Sequence, residues 1–484
     1  MQIVSCPSCG AEVTFRSHAS VVAVCEFCRA TVMKDVDAVK DLGKMSSVLE
    51  DFTPIQIGTA GVAGGRNFTV VGRIQLRYSA GMWNEWFLLF DDAGTGWLGD
   101  SSGLYTITTE AKVDGDLPAF DMIVPGRLYS IAGQRYTASE KRVAKCVGGA
   151  GELPFKVGEG WQARVADFRA GPSFVTLDYS DGDTPVLYHG ASVTLEEMQC
   201  QLLRDEEQIK ASAGKYRGKL DALDCPSCGS AIKYLPGVTT ALVCPACAAQ
   251  LDAAGPQAQI LAKGEAVSRV RNTIPLGASA KINGIDHQVI GVMVRMDDEG
   301  TEWTEYLLYN TKSAFFWLVE TDDGWSRADV MSTWPSWEST GSEHVELDHV
   351  TYDKTYDYLA TVRFAAGAFN WRVAVGDEVT VLEFEHGQTT LAAELTDHEL
   401  TWSRSTPVAF DQVKTWFLSD FQGAAPAKAA APASIAQKFL WWILGLNAIP
   451  LVFNFSGTIF YVVLALLAIY LPAKLFAPAD KGKQ

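Results

Sequence analysis

The sequence predicts a mainly β protein of two tandem modules, each a small cysteine ribbon followed by an antiparallel β-meander or small barrel. A helical connector joins the modules, and a transmembrane helical hairpin follows them. Three observations carry this reading: a cysteine quartet that occurs twice, a β-rich block that returns with it, and a charge-free apolar run near the C-terminus.

The first quartet is Cys6-Pro-Ser-Cys9-Gly closed by Cys25-Glu-Phe-Cys28, and the second is Cys225-Pro-Ser-Cys228-Gly closed by Cys244-Pro-Ala-Cys247. Both have the spacing Cys-x2-Cys-x15-Cys-x2-Cys. A Cys-x-x-Cys turn aims two thiolates at one point, and a second turn completes a tetrahedron, which suits zinc. Pro presets one backbone angle of the knuckle, and Gly lets the chain turn away where a side chain would clash. Arg29 and Ala248 stand where the second knuckles would have that Gly, so looser turns are expected there. Residues 12–15 and 21–24 read as the two strands of the first ribbon, and 231–234 and 240–243 as those of the second. A thioredoxin-type redox pair would need a strand-to-helix setting and a low thiol pKa. Pairs that come in twos predict instead two structural zinc ions per chain, each standing in for a core that a ribbon of about thirty residues cannot build.

The β-rich block has strands at 68–78, 83–90 and 97–107, separated by turns at Ser79-Ala80-Gly81 and Asp91-Asp92-Ala93-Gly94. It recurs with the second quartet. Val71-Gly72 matches Ile290-Gly291, Trp83-Asn-Glu85-Trp86 matches Trp303-Thr-Glu305-Tyr306, and Trp97-Leu98 matches Trp317-Leu318. An offset held through so many positions is a tandem duplication. The expected organisation is therefore ribbons at 1–34 and 222–252, β-rich domains at 54–193 and 273–420, and a helical connector at 194–221. An Ala/Pro linker at 422–434 and the hairpin at 435–477 complete it. Residues 34–50, with Val36, Val39, Leu42 and Met45 at helical spacing, read as one short helix weakened by Gly43. Met198, Leu202 and Leu203 are spaced for the helix of the connector.

Residues 439–471 carry no charged side chain. A bilayer core takes about 20 helical residues, so spans are expected at 435–455 and 458–477, with Asn454-Phe-Ser-Gly457 as the turn between them. Lys438 on one side and Lys474, Lys481 and Lys483 on the other place both ends in the cytoplasm by the positive-inside rule. A single span preceded by an interfacial helix, and a buried hairpin of a soluble domain, are the rival readings. The start of the chain reads as lacking a secretory signal. Its thiols are then expected in a reducing compartment, which puts the modules at the cytoplasmic face of the membrane.

The formal charge of −17 and the absence of a basic patch in either ribbon disfavour nucleic-acid binding. Cys146 and Cys200 are the two cysteines outside the quartets and read as free thiols. Glu85 and Glu305 recur in register within Trp-x-Glu-[Trp/Tyr]. On a strand such a Glu shares a face with the Trp two residues before it, so it is either a hydrogen-bond partner of an indole or a ligand-binding acid. Asp91 is matched only by Asn310, which leaves Glu85 without a second acid. No nucleophile elbow, Walker loop, His-Glu-x-x-His or dinucleotide fingerprint is present, so no catalytic residue is assigned.

Knuckle first, then a β-domain with Trp-x-Glu-[Trp/Tyr]-x-Leu and Trp-Leu: this arrangement resembles the bacterial family known as domain of unknown function 4178, over roughly residues 1–420. The resemblance implies no established activity. It implies gene neighbours in polyamine synthesis, small membrane channels and envelope-stress proteins, and so work at the membrane's cytoplasmic face. The function expected is a membrane-anchored zinc-ribbon adaptor or regulator in envelope homeostasis, with a protein partner and no catalysis. The alternatives are an enzyme or binder acting on a small cationic, polyamine-like ligand, and nucleic-acid binding through the ribbons. A pocket holding Glu85 with a second carboxylate would favour the cationic ligand, and an exposed apolar groove the adaptor.

Overall fold

The computed structural model describes residues 2–422 except 17–18, 29, 35–38, 45–52, 79–80, 102, 113–114, 156–160, 206–207, 210–222, 233–240, 248, 253–258, 263–272, 311–313 and 370; beyond 422 it describes 442–443, 446–447 and 455–475. It divides into two compact units, Met1–Gly423 and Ala424–Gln484. Arg29 and Ala248, the positions of the expected looser turns, lie outside the described residues.

In the first unit each β-rich block closes into an eight-stranded antiparallel barrel. The first barrel is made of two four-stranded meanders. One is Arg66–Arg77, Met82–Phe90, Thr95–Ser101 and Leu104–Ala111; the other is Gln134–Leu153, Gln162–Ala170, Ser173–Asp178 and Val186–Val193. Two seams join them: Leu104–Ala111 pairs with Val186–Val193, and Arg66–Arg77 with Gln134–Leu153. The second barrel repeats this with Ile285–Met296, Glu302–Asn310, Ala314–Thr321, Gly324–Val330, Val350–Phe369, Glu378–His386, Thr389–Leu395 and Leu400–Val408. The single strand expected over 97–107 is thus two, because a turn at Gly103, in the left-handed region at φ 90°, reverses the chain.

Alternation sorts the side chains by face. On Met82–Phe90, Trp86, Leu88 and Phe90 join Phe68, Val70, Leu98, Tyr105 and Ile107 in an outward-facing core covered by Ile55 and Met198. The second meander builds a matching outer core from Phe168, Val175 and Leu177 under Phe120 and Ile123. Residues of opposite parity face the lumen.

The twenty-residue strand Gln134–Leu153 ties barrel to ribbon: past its seam it pairs with the ribbon strand Val22–Val24, Leu153 opposite Val22. Glu152, 1% exposed, fixes this junction by accepting the Arg16 N–H at 2.7 Å and the Ser20 hydroxyl at 2.8 Å. In the second module Ala241–Val243 docks on Val350–Phe369 in the same way.

Four local expectations are corrected. Strand Glu12–Phe15 pairs with Gln2–Ser5, and Val22–Val24 with Ala30–Lys34, so each knuckle has its own hairpin and the two expected ribbon strands are not each other's partners. Within 34–50, Val39–Lys44 is a strand added to Ala30–Lys34: Gly43 weakens a helix, whereas an open sheet edge supplies partners for the backbone. The connector is not a continuous helix where it is described. Turns over 195–199 lay Met198 on the barrel's outer core, and Arg204 is bound through its N–H to the Pro54 carbonyl at 2.8 Å; tertiary packing overrides the helical spacing.

The fourth correction concerns the anchor. In the second unit the helix Phe455–Leu475 is present, with side chains described over 457–468 only, and the first expected span, 435–455, lies almost wholly outside the described residues. Among the described residues no helix is long and apolar enough to cross a membrane. The transmembrane hairpin is therefore not supported, and the membrane localisation that rested on it is withdrawn. Of this helix only residues 457–468 have described side chains, fewer than the about 20 that a bilayer core takes.

At the seam Gly72 lies opposite Gly151, and a Cβ on Gly72 would overlap the Glu152 carbonyl oxygen. Gly72→Ala is expected to cost at least ~3 kcal/mol of stability, because backbone and not a movable side chain is in the way. Thermal unfolding of this variant beside Gly341→Ala, whose added Cβ would meet only the Ser339 hydroxyl at 3.6 Å, checks the steric cause.

Candidate metal centres and barrel lumens

In each ribbon the structure brings four cysteines together. The sulfurs of Cys6, Cys9, Cys25 and Cys28 lie within 4.8 Å of one another, as do those of Cys225, Cys228, Cys244 and Cys247. Cys6 and Cys28 are 3.6 Å apart, Cys9 and Cys25 3.6 Å, Cys225 and Cys247 3.8 Å, and Cys228 and Cys244 3.7 Å. Four sulfurs arranged tetrahedrally about a metal at zinc–thiolate bond length stand about 3.8 Å apart; the quartets have that shape and could hold metal ions. The knuckles position them. Gly10 N–H donates to the Cys6 carbonyl at 2.8 Å and Gly229 N–H to that of Cys225 at 2.7 Å, with both glycines in the left-handed region. The Ala30 backbone hydrogen bond helps to pull Cys28 down to about 6, towards the thiolate a metal needs. Cys146 and Cys200 are free and partly buried, and burial pushes Cys200 up to about 11.

The other polar cluster lies inside the barrels. Glu85 and Glu305 both face the lumen, and each accepts a hydrogen bond from the indole two residues earlier: Trp83 Nε1 at 2.8 Å and Trp303 Nε1 at 2.7 Å. The indole partnership anticipated from the repeat is present in both copies. The second acid is present too, but it is not Asp91, which sits in a turn accepting from Asn67 Nδ2 at 2.9 Å. Asp178, on the opposite wall, and Glu140 face Glu85 closely enough to raise its pKa. Burial is the larger cause, and together they push Glu85 up to about 7. Glu140 is pushed up to about 7, chiefly by burial, and Asp167 and Asp178 are raised by burial as well. Trp97 and Phe155, with ring centroids 5.9 Å apart, and Trp161, stacked on Phe155 at 5.2 Å, form an aromatic wall beside the acids.

Two arginines enter this lumen, and both are engaged. Arg142 pairs with Glu140 and, across the junction of the modules, with Glu399 at 2.7 Å; Arg169 donates to Ser192 Oγ at 2.7 Å and to the Ser332 carbonyl at 3.1 Å. Lys141 N–H donates to the His398 carbonyl at 3.1 Å at the same junction. One cavity of about 1870 Å³ is lined from both lumens across this junction.

Sequence reasoning found Glu85 and Glu305 but missed Glu140, Asp167 and Asp178. The only available signal was alternation, as in Ala163-x-Val165-x-Asp167, and this part of the two copies has diverged.

Fold and site define a class: a tandem pair of polar-lumen β-barrels, each braced by a four-cysteine ribbon. The profile of Domain of unknown function (DUF4178) matches residues 56–195 and 275–410, and the chain belongs to this family, in two copies. No curated protein and no solved structure matches it.

Replacing one cysteine of a quartet removes a quarter of the ligands of a site that stands in for a core. Cys25→Ser is expected to lower bound metal from about two equivalents to about one and to lower the melting temperature. Elemental analysis of the purified variant, beside calorimetry, checks both; unchanged metal content would remove the first quartet from the metal sites.

Proposed function

We propose that the protein is a binding protein whose first barrel takes a small organic cation into its lumen, with a structural zinc ion in each ribbon. The observation that carries this reading is Glu85 facing Asp178 inside a cavity, neither in an ion pair among the described residues, beside the rings of Trp83, Trp97, Phe155 and Trp161. Carboxylates neutralise an ammonium or guanidinium group, and aromatic faces attract its charge. Desolvation inside the barrel strengthens both. Among the described residues the groups of His, Cys, Asp or Glu close enough to share a metal ion are the two cysteine quartets and not the lumen acids, which favours an organic cation of polyamine-like size, as one alternative from the sequence expected. The adaptor reading would call for an exposed apolar groove; Glu85 with a second carboxylate is the arrangement that favours a ligand instead. Zinc is supported by the four-thiolate donor sets and their spacing.

Because Glu85 is raised to about 7, it is mostly protonated below that pH and cannot attract a cation. Binding of 1,4-diaminobutane, followed by calorimetry, should tighten as pH rises from 5.5 to 8, and Glu85→Gln should weaken it at pH 8 by about tenfold or more, 1.4 kcal/mol. Stability should show the opposite sign. A carboxyl whose pKa is higher folded than unfolded contributes most at low pH, and that contribution is lost as pH rises from about 4.5 towards 7. Glu85→Gln should flatten this decline in the apo protein. A pH-independent affinity would sink the assignment of Glu85.

A further inference from the structure

Strand register aligns the two lumens residue by residue. Gly72 faces Gly151 as Gly291 faces Gly367, and Leu76 lies opposite Trp83 as Arg295 lies opposite Trp303. On the far wall Asp167 pairs with Thr176 as Glu383 pairs with Ala392, which puts Asp178 and Glu394 at the same place. Glu85 and Asp178 of the first barrel therefore correspond to Glu305 and Glu394 of the second, and Leu76 to Arg295.

In the second barrel the space between the two carboxylates is filled. The Arg295 guanidinium donates from Nη1 to Glu394 Oε1 at 3.1 Å, and its Nε lies 3.6 Å from Glu305 Oε1, with the Arg295 side chain only 10% exposed. In the first barrel the corresponding residue, Leu76, is apolar and buried. Glu85 has the Trp83 indole, and Asp178 the N–H and hydroxyl of Ser180, but among the described residues no cation reaches either. The Ser139 hydroxyl, in a residue 5% exposed that lines the same cavity, has no hydrogen-bond partner among the described residues. A buried donor and acceptor without a partner costs free energy unless a ligand or water satisfies it.

We propose that the first lumen binds a ligand carrying a guanidinium group, seated between Glu85 and Asp178 where Arg295 sits between their counterparts, and that the second lumen is closed to this ligand by its own arginine. The inference rests on the reading of the first lumen as a cation site. Guanidinium is favoured over ammonium because its planar fork presents donors in two directions at once, matching carboxylates on opposite walls, and because it stacks on aromatic faces. The duplication thus supplies one site and one internal copy of the occupied state.

Calorimetric titration of the full-length, metal-loaded protein at pH 8 with methylguanidinium and with methylammonium tests it. The expected result is one equivalent of methylguanidinium per chain, bound at least about tenfold tighter than methylammonium, lost in Glu85→Gln and retained in Glu305→Gln. Leu76→Arg should abolish binding as Glu85→Gln does. Arg295→Ala, which leaves two buried carboxylates without their cation, should melt lower and be restored by methylguanidinium more than by methylammonium; failure of that rescue would overturn the self-occupied second lumen without requiring any variant to be stable alone. Two equivalents on the wild-type chain would also overturn it. Methylammonium binding as tightly as methylguanidinium would overturn the guanidinium assignment and leave the cation site standing. No binding of either would overturn both.

Discussion

Direct backbone approach at the barrel seam is the constraint on which the rest depends. Where Arg66–Arg77 meets Gln134–Leu153, a side chain on Gly72 would overlap the Glu152 carbonyl, and one on Gly151, at φ 68°, would overlap that of Val71. The second module repeats the contact with Gly291 and Gly367, the latter at φ 98°. With no Cβ in the way, the long strand closes the barrel and then bends off its partner to carry the ribbon. Barrel closure and ribbon docking are consequences of one contact, and the cysteine quartet that could hold a metal ion belongs to the ribbon docked at the far end of the long strand.

Closure also explains why the acids are where they are. In an open meander the parity carrying Glu85, Asp167 and Asp178 would face water, and none of them would titrate unusually. Folding the two meanders on each other turns that parity inward, while the apolar parity stays outside under Phe120, Ile123, Ile55 and Met198. Carboxylates gathered inside repel one another and lose hydration, so their protonated forms gain. An internal cation relieves that cost, at the expense of desolvating itself. Arg295 does this in one barrel, and Arg142 does it for Glu140 and Glu399 at the junction. Glu85 and Asp178 are left without such relief.

Much of this was legible in the chain. The cysteine spacing carries the two quartets because four cysteines within some twenty residues can only converge locally, and the duplication carries the two-module plan. Strand existence followed from β-branched and aromatic runs. What could not be read were the pairings made at long range. Nothing near Val71-Gly72 announces that its partner is Gly151, or that Glu12–Phe15 pairs with Gln2–Ser5 and not with Val22–Val24. Without the seam no inside exists, and Asp178 cannot be recognised as facing Glu85. The helical reading gives way at Val39–Lys44 and at 195–199, the rest of both stretches lying largely outside the described residues, because short apolar spacing is weak evidence beside an available sheet edge or an outer core in need of cover. The length, missing charges and flanking lysines of the run at 439–471 predict a hairpin, but most of its first span lies outside the described residues, and among the described residues no helix is long and apolar enough to cross a membrane.

The exchange of Leu76 for Arg295 sits at the constant offset of the repeat, in plain view in the aligned halves, yet it acquires meaning only with the lumen. At a solvent-exposed position such a change would be one more solvated arginine, with little effect on stability. Inside, it changes the net charge between two carboxylates and fills the volume a ligand would use. Tandem copies under the same packing constraints can diverge freely outside, but a lumen position is confined by both walls, so a cation there must be met by acids already in place. Glu305 and Glu394 meet it; Glu85 and Asp178 hold the same positions around a leucine. That two acids stand on opposite walls of a barrel with no internal cation between them among the described residues is hard to account for by stability alone, since a buried carboxylate without a counter-ion is a cost. Such a pair is what a site that receives its cation from solution would require.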